Sequence, residues 1–217
     1  VRAAKREMAD LTRGLIDSRR RQRGDDVVSM LLDGVDAGDL DETDLFFLVE
    51  ELLSASVDNT ANTTGLAVLT LLRAGEAWSR IAAEPDAVPA AAEECGRFEP
   101  AIRHTIKFAL DDTSVGGVDI AAGEFVTIRI AAAHRDPAVY VDPHRFDIDR
   151  EPPKSQLAFG LGRHFCLGAA LGRMEIVEMI RALAIGRPQA SIGEHVAMTK
   201  NAAGLVHRLD IVPGAAR

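Results

Sequence analysis

Cysteine is nearly missing from this 217-residue chain, which has two, Cys95 and Cys166. They lie far apart in dissimilar contexts, so they cannot supply a disulfide framework and point instead to a reducing compartment, the cytoplasm. Positive charge is short as well: 25 Lys and Arg against 33 Asp and Glu leave a formal charge of −8. A nucleic-acid binder needs clustered positive charge to meet phosphates, and this balance argues against that class. Long apolar runs are lacking; the longest are broken by Asp, Asn or Arg before reaching the roughly 18 residues of a membrane span. Internal repeats and low-complexity segments are absent too. What remains, with 47% hydrophobic residues, can bury one substantial core or two small ones.

One stretch runs against the acidic balance. Residues 2–23 hold eight basic side chains (Arg2, Lys5, Arg6, Arg13, Arg19, Arg20, Arg21 and Arg23) against the acids Glu7, Asp10 and Asp17. Met8, Leu11, Leu15 and Ile16 recur there at helical spacing, so a solvated helix, its terminal arginines complementing its dipole, explains the charge better than a binding patch.

The pattern predicts this first helix up to Gly24, a short one over 26–32, an acidic loop over 33–41 and a long helix over 42–73, with Gly75 as its C-terminal cap. The middle of the long helix reads SASVDNTANTTG, polar and poor in helix formers, which points to a functional kink. Helices over 76–83 and 87–97 follow. After Pro100 the period changes to two, with strands over 105–110, 118–120 and 125–130 joined by glycine turns into a small antiparallel sheet. Residues 131–158 are irregular, then comes a cysteine-containing loop, a helix to about 184, and a hairpin with strands over 197–200 and 204–212. The fold class is mainly α with a small antiparallel β-sheet.

Chemistry concentrates at residues 159–168, FGLGRHFCLG. Gly160, Gly162 and Gly168 remove side chains on both sides of Cys166, so a large flat ligand can approach the backbone. The helix that follows, from about Leu167, turns unpaired N–H groups toward the sulfur, a setting that favours the anionic form of cysteines generally. A lone thiolate suits haem iron better than zinc, which takes three or four protein ligands. Glu94 and Arg97, three apart on a helix, share a face and can pair; Glu178 and Arg181 repeat the spacing as a surface pair. The other histidines, His134 among them, show no ligand spacing and read as surface or core residues.

Continued as AALGR to Arg173, the loop resembles the haem-binding signature of the cytochrome P450 monooxygenases, FGxGxHxCxGxxLAR, departing from it only at Gly172. The resemblance implies the C-terminal part of the P450 fold, with its long oxygen-side helix, ExxR helix and cysteine-ligand loop. Residues 1–217 would be the C-terminal portion of a single haem-thiolate domain whose N-terminal half is absent. Apolar faces would then be left uncovered, with poor solubility or oligomerisation as the result.

The resemblance further implies haem b (iron protoporphyrin IX) on Cys166, bordered by Phe159, Gly160, Gly162, Leu167 and Gly168. His164 and Lys107 would hold the propionates, Lys107 standing where the family usually has an arginine and losing its bidentate fork. Residues 55–60, ASVDNT, align with the family's AGxDTT. Asp58 would relay protons; Asn59 replaces the usual threonine and cannot act as a rotating hydroxyl relay, so oxygen activation would work through Asn59, Thr60 or an ordered water. Glu94 and Arg97, joined by Arg145 of DPHRF, would form a buried structural charge network. The implied activity inserts one oxygen atom from O2 into a small organic substrate, with electrons from a ferredoxin and ferredoxin reductase and no role for nucleic acid or membrane. The alternatives are a hydrogen-peroxide-driven peroxygenase and a truncated, non-catalytic haem-binding pseudoenzyme.

Overall fold

A computed structural model describes residues 2–151, 156–198 and 206–214. The chain divides into two compact units, Val1–Asp58 and Asn59–Arg217. In the first, α1 (Arg2–Arg21) and α2 (Val27–Ala37) pack around Ile16, Leu32, Leu45 and Val49, the last two from the start of α3 (Glu42–Arg73). Asp26 caps α2 by accepting the Ser29 amide at 3.0 Å, and that bond, with the Arg19 guanidinium beside it, holds its carboxyl below the usual range. α2 runs to Ala37, past the predicted end at residue 32, because Val35 joins the same apolar stripe. Gly38, at φ 82°, then closes the helix in the left-handed conformation.

α3 starts where the pattern places it, with Asp41 Oδ1 accepting the amides of Thr43 and Asp44 at 2.7 and 2.8 Å. Its polar middle stays α-helical without a break, so the predicted kink does not appear as an interruption. Hydroxyls there return to the preceding turn: Thr63 donates to the Asn59 carbonyl at 2.7 Å and Ser56 to Leu53 at 3.2 Å. Gly75 does not cap α3; it opens α4 (Gly75–Ala83).

In the second unit α7 (Ala169–Gly186) packs against α4 and α5 (Val88–Phe98). Leu71, Ile81, Val88, Ala91, Ile180 and Ala184 are fully buried there, and Trp78 reaches across to the Arg187 carbonyl at 3.3 Å. The β region forms two ladders, one nested inside the other, where one sheet was predicted. β1 (Thr105–Phe108) pairs with β4 (Phe125–Ile128), and between them β2 (Thr113–Val115) pairs with β3 (Val118–Ile120). The outer ladder stops at Phe108–Phe125, beyond which Asp112 turns its carboxylate to the Ala122 amide at 2.8 Å. The predicted last strand is cut short because Ile130 opens a one-turn helix, α6 (Ile130–Ala133).

The closing hairpin, β5 (Ser191–Met198) with β6 (Val206–Val212), begins earlier than predicted, and residues 199–205 of the predicted strands and turn lie outside the described ones. Among the described residues no helix is long and apolar enough to cross a membrane.

Candidate functional site

The cysteine loop is shaped by backbone chemistry. Gly160 and Gly162 sit at φ 75° and 79°, a conformation that side-chain-bearing residues rarely adopt. Their turns bring the Cys166 amide to the Phe159 carbonyl at 2.9 Å and the Phe165 amide to the Gly162 carbonyl at 3.0 Å. Gly168 differs: its φ of −85° suits any residue, and an added Cβ would meet nothing within 4 Å, so here the missing side chain opens space rather than permitting a turn. The Cys166 side chain is exposed, among the exposed apolar side chains of Leu161, Phe165, Leu167 and Leu171. At Gly172, the one departure from the motif, a Cβ would stand an ordinary 3.7 Å from the Phe159 ring, so an alanine would fit equally well.

Against this exposed loop stands a saturated interior. Arg97, 1% exposed, donates from Nε and Nη2 to the two oxygens of Glu94, each at 2.7 Å. Its remaining N–H groups reach the carbonyls of His134 and Pro143 at 2.9 Å and of Arg145 at 3.1 Å. A guanidinium has five such donors, and all are used. The predicted third partner needs correcting. Arg145 contributes only its carbonyl; its side chain is mostly exposed and lies 3.7 Å from Asp147. Arg150 takes the place instead, donating from Nε to Glu94 Oε1 at 3.3 Å and to the carbonyls of Val141, Asp142 and Arg145. The chain turns sharply just ahead of the two arginines, with Asp142 at φ 48°, and this irregular backbone carries no period from which side-chain direction can be read.

Four contacts tie the loop to its surroundings. Arg173 of α7 donates to Glu93 at 2.6 Å and lies over the Phe159 ring at 4.3 Å. Gln156 donates to the Glu93 carbonyl at 2.6 Å, and the Leu157 amide donates to His134 Nε2 at 3.0 Å. His164 is exposed in a 3-10 turn over Gly162–His164, and Lys107 is exposed on β1. In the second unit Asn59 is exposed, and Thr60 donates to Glu175 Oε2 of α7 at 3.3 Å. Asp58 ends the first unit, exposed on α3. Glu175 and Arg150 are contacts that no sequence spacing announces.

The cytochrome P450 family profile matches residues 1–183. The chain belongs to the cytochrome P450 family. Among similar proteins, luteothin monooxygenase of Streptomyces thioluteus is 36% identical over 82% of this chain and 44% of its own length. The P450 CYP164A2 of Mycobacterium smegmatis, in a ligand-free crystal structure, superposes with a TM-score of 0.89 at 34% identity, over 96% of this chain and 54% of that one. P450BioI, solved in complex with an acyl carrier protein ligated to hexadec-9Z-enoic acid, gives a TM-score of 0.87 at 31% identity, over 94% and 53%. This P450 chain thus spans about half the length of the proteins it matches, and its helices and small antiparallel sheets match part of their fold.

The residues present fit the haem that the family implies. Among the described residues no group of three or more His, Cys, Asp or Glu side chains could hold a metal. The iron of a porphyrin brings its other ligands with it, so a single protein sulfur such as that of Cys166 suffices to hold it. The exposed apolar side chains and the open space over Gly168 suit a flat, apolar ligand.

Proposed function

We propose that this chain is the C-terminal portion of a single cytoplasmic haem-thiolate monooxygenase domain, inserting one oxygen atom from O2 into a small organic substrate with electrons from a ferredoxin and its reductase. The observation that carries this reading is the exposed Cys166 thiol, alone on its glycine loop ahead of α7, in a chain of the P450 family. When bound, haem b supplies thiolate-supported activation of dioxygen. Cys166 Sγ is the ligand atom, and the amides of Leu167 and Gly168 temper its charge. Phe159, Gly160 and Gly162 border the ring, while His164 and Lys107 bind its carboxylates.

α3 serves as the oxygen-side helix. Thr60 Oγ1 and Glu175 Oε2, 3.3 Å apart, form a hydroxyl–carboxylate pair able to pass a proton, a step that the Asn59 amide cannot perform. Asp58 is the second acid assigned to proton supply. Glu94, Arg97 and Arg150 anchor the irregular segment and take no part in the chemistry.

The test is the reduced carbon monoxide complex of the haem-loaded chain. Wild type gives a red-shifted Soret band; Cys166→Ser abolishes it, and a spectrum indifferent to the substitution sinks the reading. Asn59 favours a second reading: with no hydroxyl at position 59, hydrogen peroxide, which brings both its oxygen and its oxidising equivalents, can replace O2 and the reductase; turnover with peroxide and no reductase selects it. Haem binding without turnover under either regime selects the non-catalytic reading. Carrier-borne acyl chains belong among the substrates tried, since the P450BioI relative was solved with such a ligand.

A further inference from the structure

His134 carries no ligand spacing in the sequence, yet its ring occupies a junction. It is 1% exposed, and both ring nitrogens are bonded to backbone. Nε2 lies 3.0 Å from the Leu157 amide, which can only donate, so Nε2 must present a lone pair. The proton therefore sits on Nδ1, 3.1 Å from the Arg97 carbonyl, which accepts it. One neutral tautomer satisfies both bonds. The His134 carbonyl in turn accepts from Arg97 Nη1 at 2.9 Å, so ring and backbone are both fastened to the end of α5.

Leu157 opens the cysteine loop. Its carbonyl accepts the Gly160 amide at 2.9 Å, and the Phe159 carbonyl between them accepts the Cys166 amide at 2.9 Å. A short series of bonds thus runs from the Arg97 carbonyl through an imidazole to the backbone that sets Cys166. Gln156 provides a neighbouring tie to the same helix through the Glu93 carbonyl at 2.6 Å, but it has no titratable group.

We propose that His134 is a positioning residue for the Cys166 loop: its neutral ring clasps the loop entry to α5, and its protonation opens that clasp. A second ring proton would place two N–H groups face to face across 3.0 Å. It would also put a cation among cations. Arg97 faces the ring from α5, Arg135 follows it on its own segment, and Tyr140 meets its edge at 6.3 Å between centroids. Of the carboxylates around these arginines, Glu94 is bound to Arg97 and Arg150 and Glu99 pairs with Arg103 and Arg135. Residues 156–159, on the loop side, bring no ionisable side chain. Burial foremost, then Arg97 and Arg135, hold the imidazole below its ordinary 6.5, with the bond to the Arg97 carbonyl acting the other way.

The clasp is a property of the chain itself; only its effect on a bound haem rests on the reading of Cys166 as ligand. The test is amide hydrogen exchange of the full chain, resolved at Leu157 and corrected for the intrinsic pH dependence of exchange, followed downward from neutral pH. Wild-type protection at Leu157 should fall about tenfold in acid. His134→Gln, which offers a non-titrating acceptor, should show no such fall, and His134→Phe should be unprotected at every pH. Should His134→Phe fail to fold, wild type against His134→Gln decides alone. Wild-type-like protection in His134→Phe, or an equal acid loss in His134→Gln, overturns the proposal.

With haem bound, His134→Gln should hold the red-shifted carbon monoxide band to lower pH than wild type, and identical acid loss of the band counts against the clasp. If no protein, wild type included, gives that band at any pH, the haem-thiolate reading fails while the exchange data still judge the clasp.

Discussion

Cys95 and Cys166 are the same side chain in opposite settings. Cys95, 2% exposed on α5, packs into the core of the second unit, and its Sγ lies 3.8 Å from the Ala67 carbonyl. Burial pushes its thiol well above the ordinary range, with the Glu94 charge adding to the effect, so it behaves as a small apolar group. Cys166 is exposed, with its backbone N–H bonded to the Phe159 carbonyl and its carbonyl to the Ala169 amide. The same division holds around them. Near Cys95 the polar atoms of Glu94 and Arg97 are satisfied within the protein, whereas the loop around Cys166 bonds the amides of Gly160, Phe165 and Cys166 to its own carbonyls and leaves residues 161–168 exposed. Interior substitutions should therefore cost stability and loop substitutions should cost binding.

The sharpest break is Cys166→Ser, which should remove thiolate ligation completely while the unfolding free energy of the haem-free chain stays within about 0.5 kcal/mol of wild type. A large loss of stability would erase the distinction between the regions. Arg97→Met should cost about 3–5 kcal/mol in denaturant titration, because it leaves the Glu94 carboxylate buried without its main partner. Arg150→Ala and Arg145→Ala separate a network member from a bystander: about 1–3 kcal/mol for the first, within about 0.5 kcal/mol for the second. Equal costs would restore the assignment made from sequence.

Cys95→Ala should cost about 1 kcal/mol. A thiol reagent should label Cys166 in the native haem-free chain and reach Cys95 only after unfolding; equal rates would contradict the contrast. Acidity probes the interior most gently. Since the native pKa of His134 is depressed, the unfolded chain takes up a proton first, so stability is full above about 6.5 and falls as the pH drops toward the native value. Chemical melts across that window should show the fall in wild type and a flatter profile in His134→Gln.

How much of this could be read in advance depended on distance along the chain. The span of α3, the Glu94–Arg97 pair and the glycine-bent cysteine loop were legible because each rests on neighbours within a few residues: an Asp41 cap, an i,i+3 spacing, two left-handed glycines. The nested ladders, the exchange of Arg145 for Arg150 and the junction at His134 were not. Their partners lie well removed, 56 residues for Arg150 with Glu94, 23 for His134 with Leu157, and 115 for Thr60 with Glu175. The amino-acid order alone determined how the cysteine loop bends, because two left-handed glycines are local geometry. Packing alone decided which arginine is buried, which histidine is neutral and which cysteine faces solvent, because burial and hydrogen-bond partners exist only once distant segments meet.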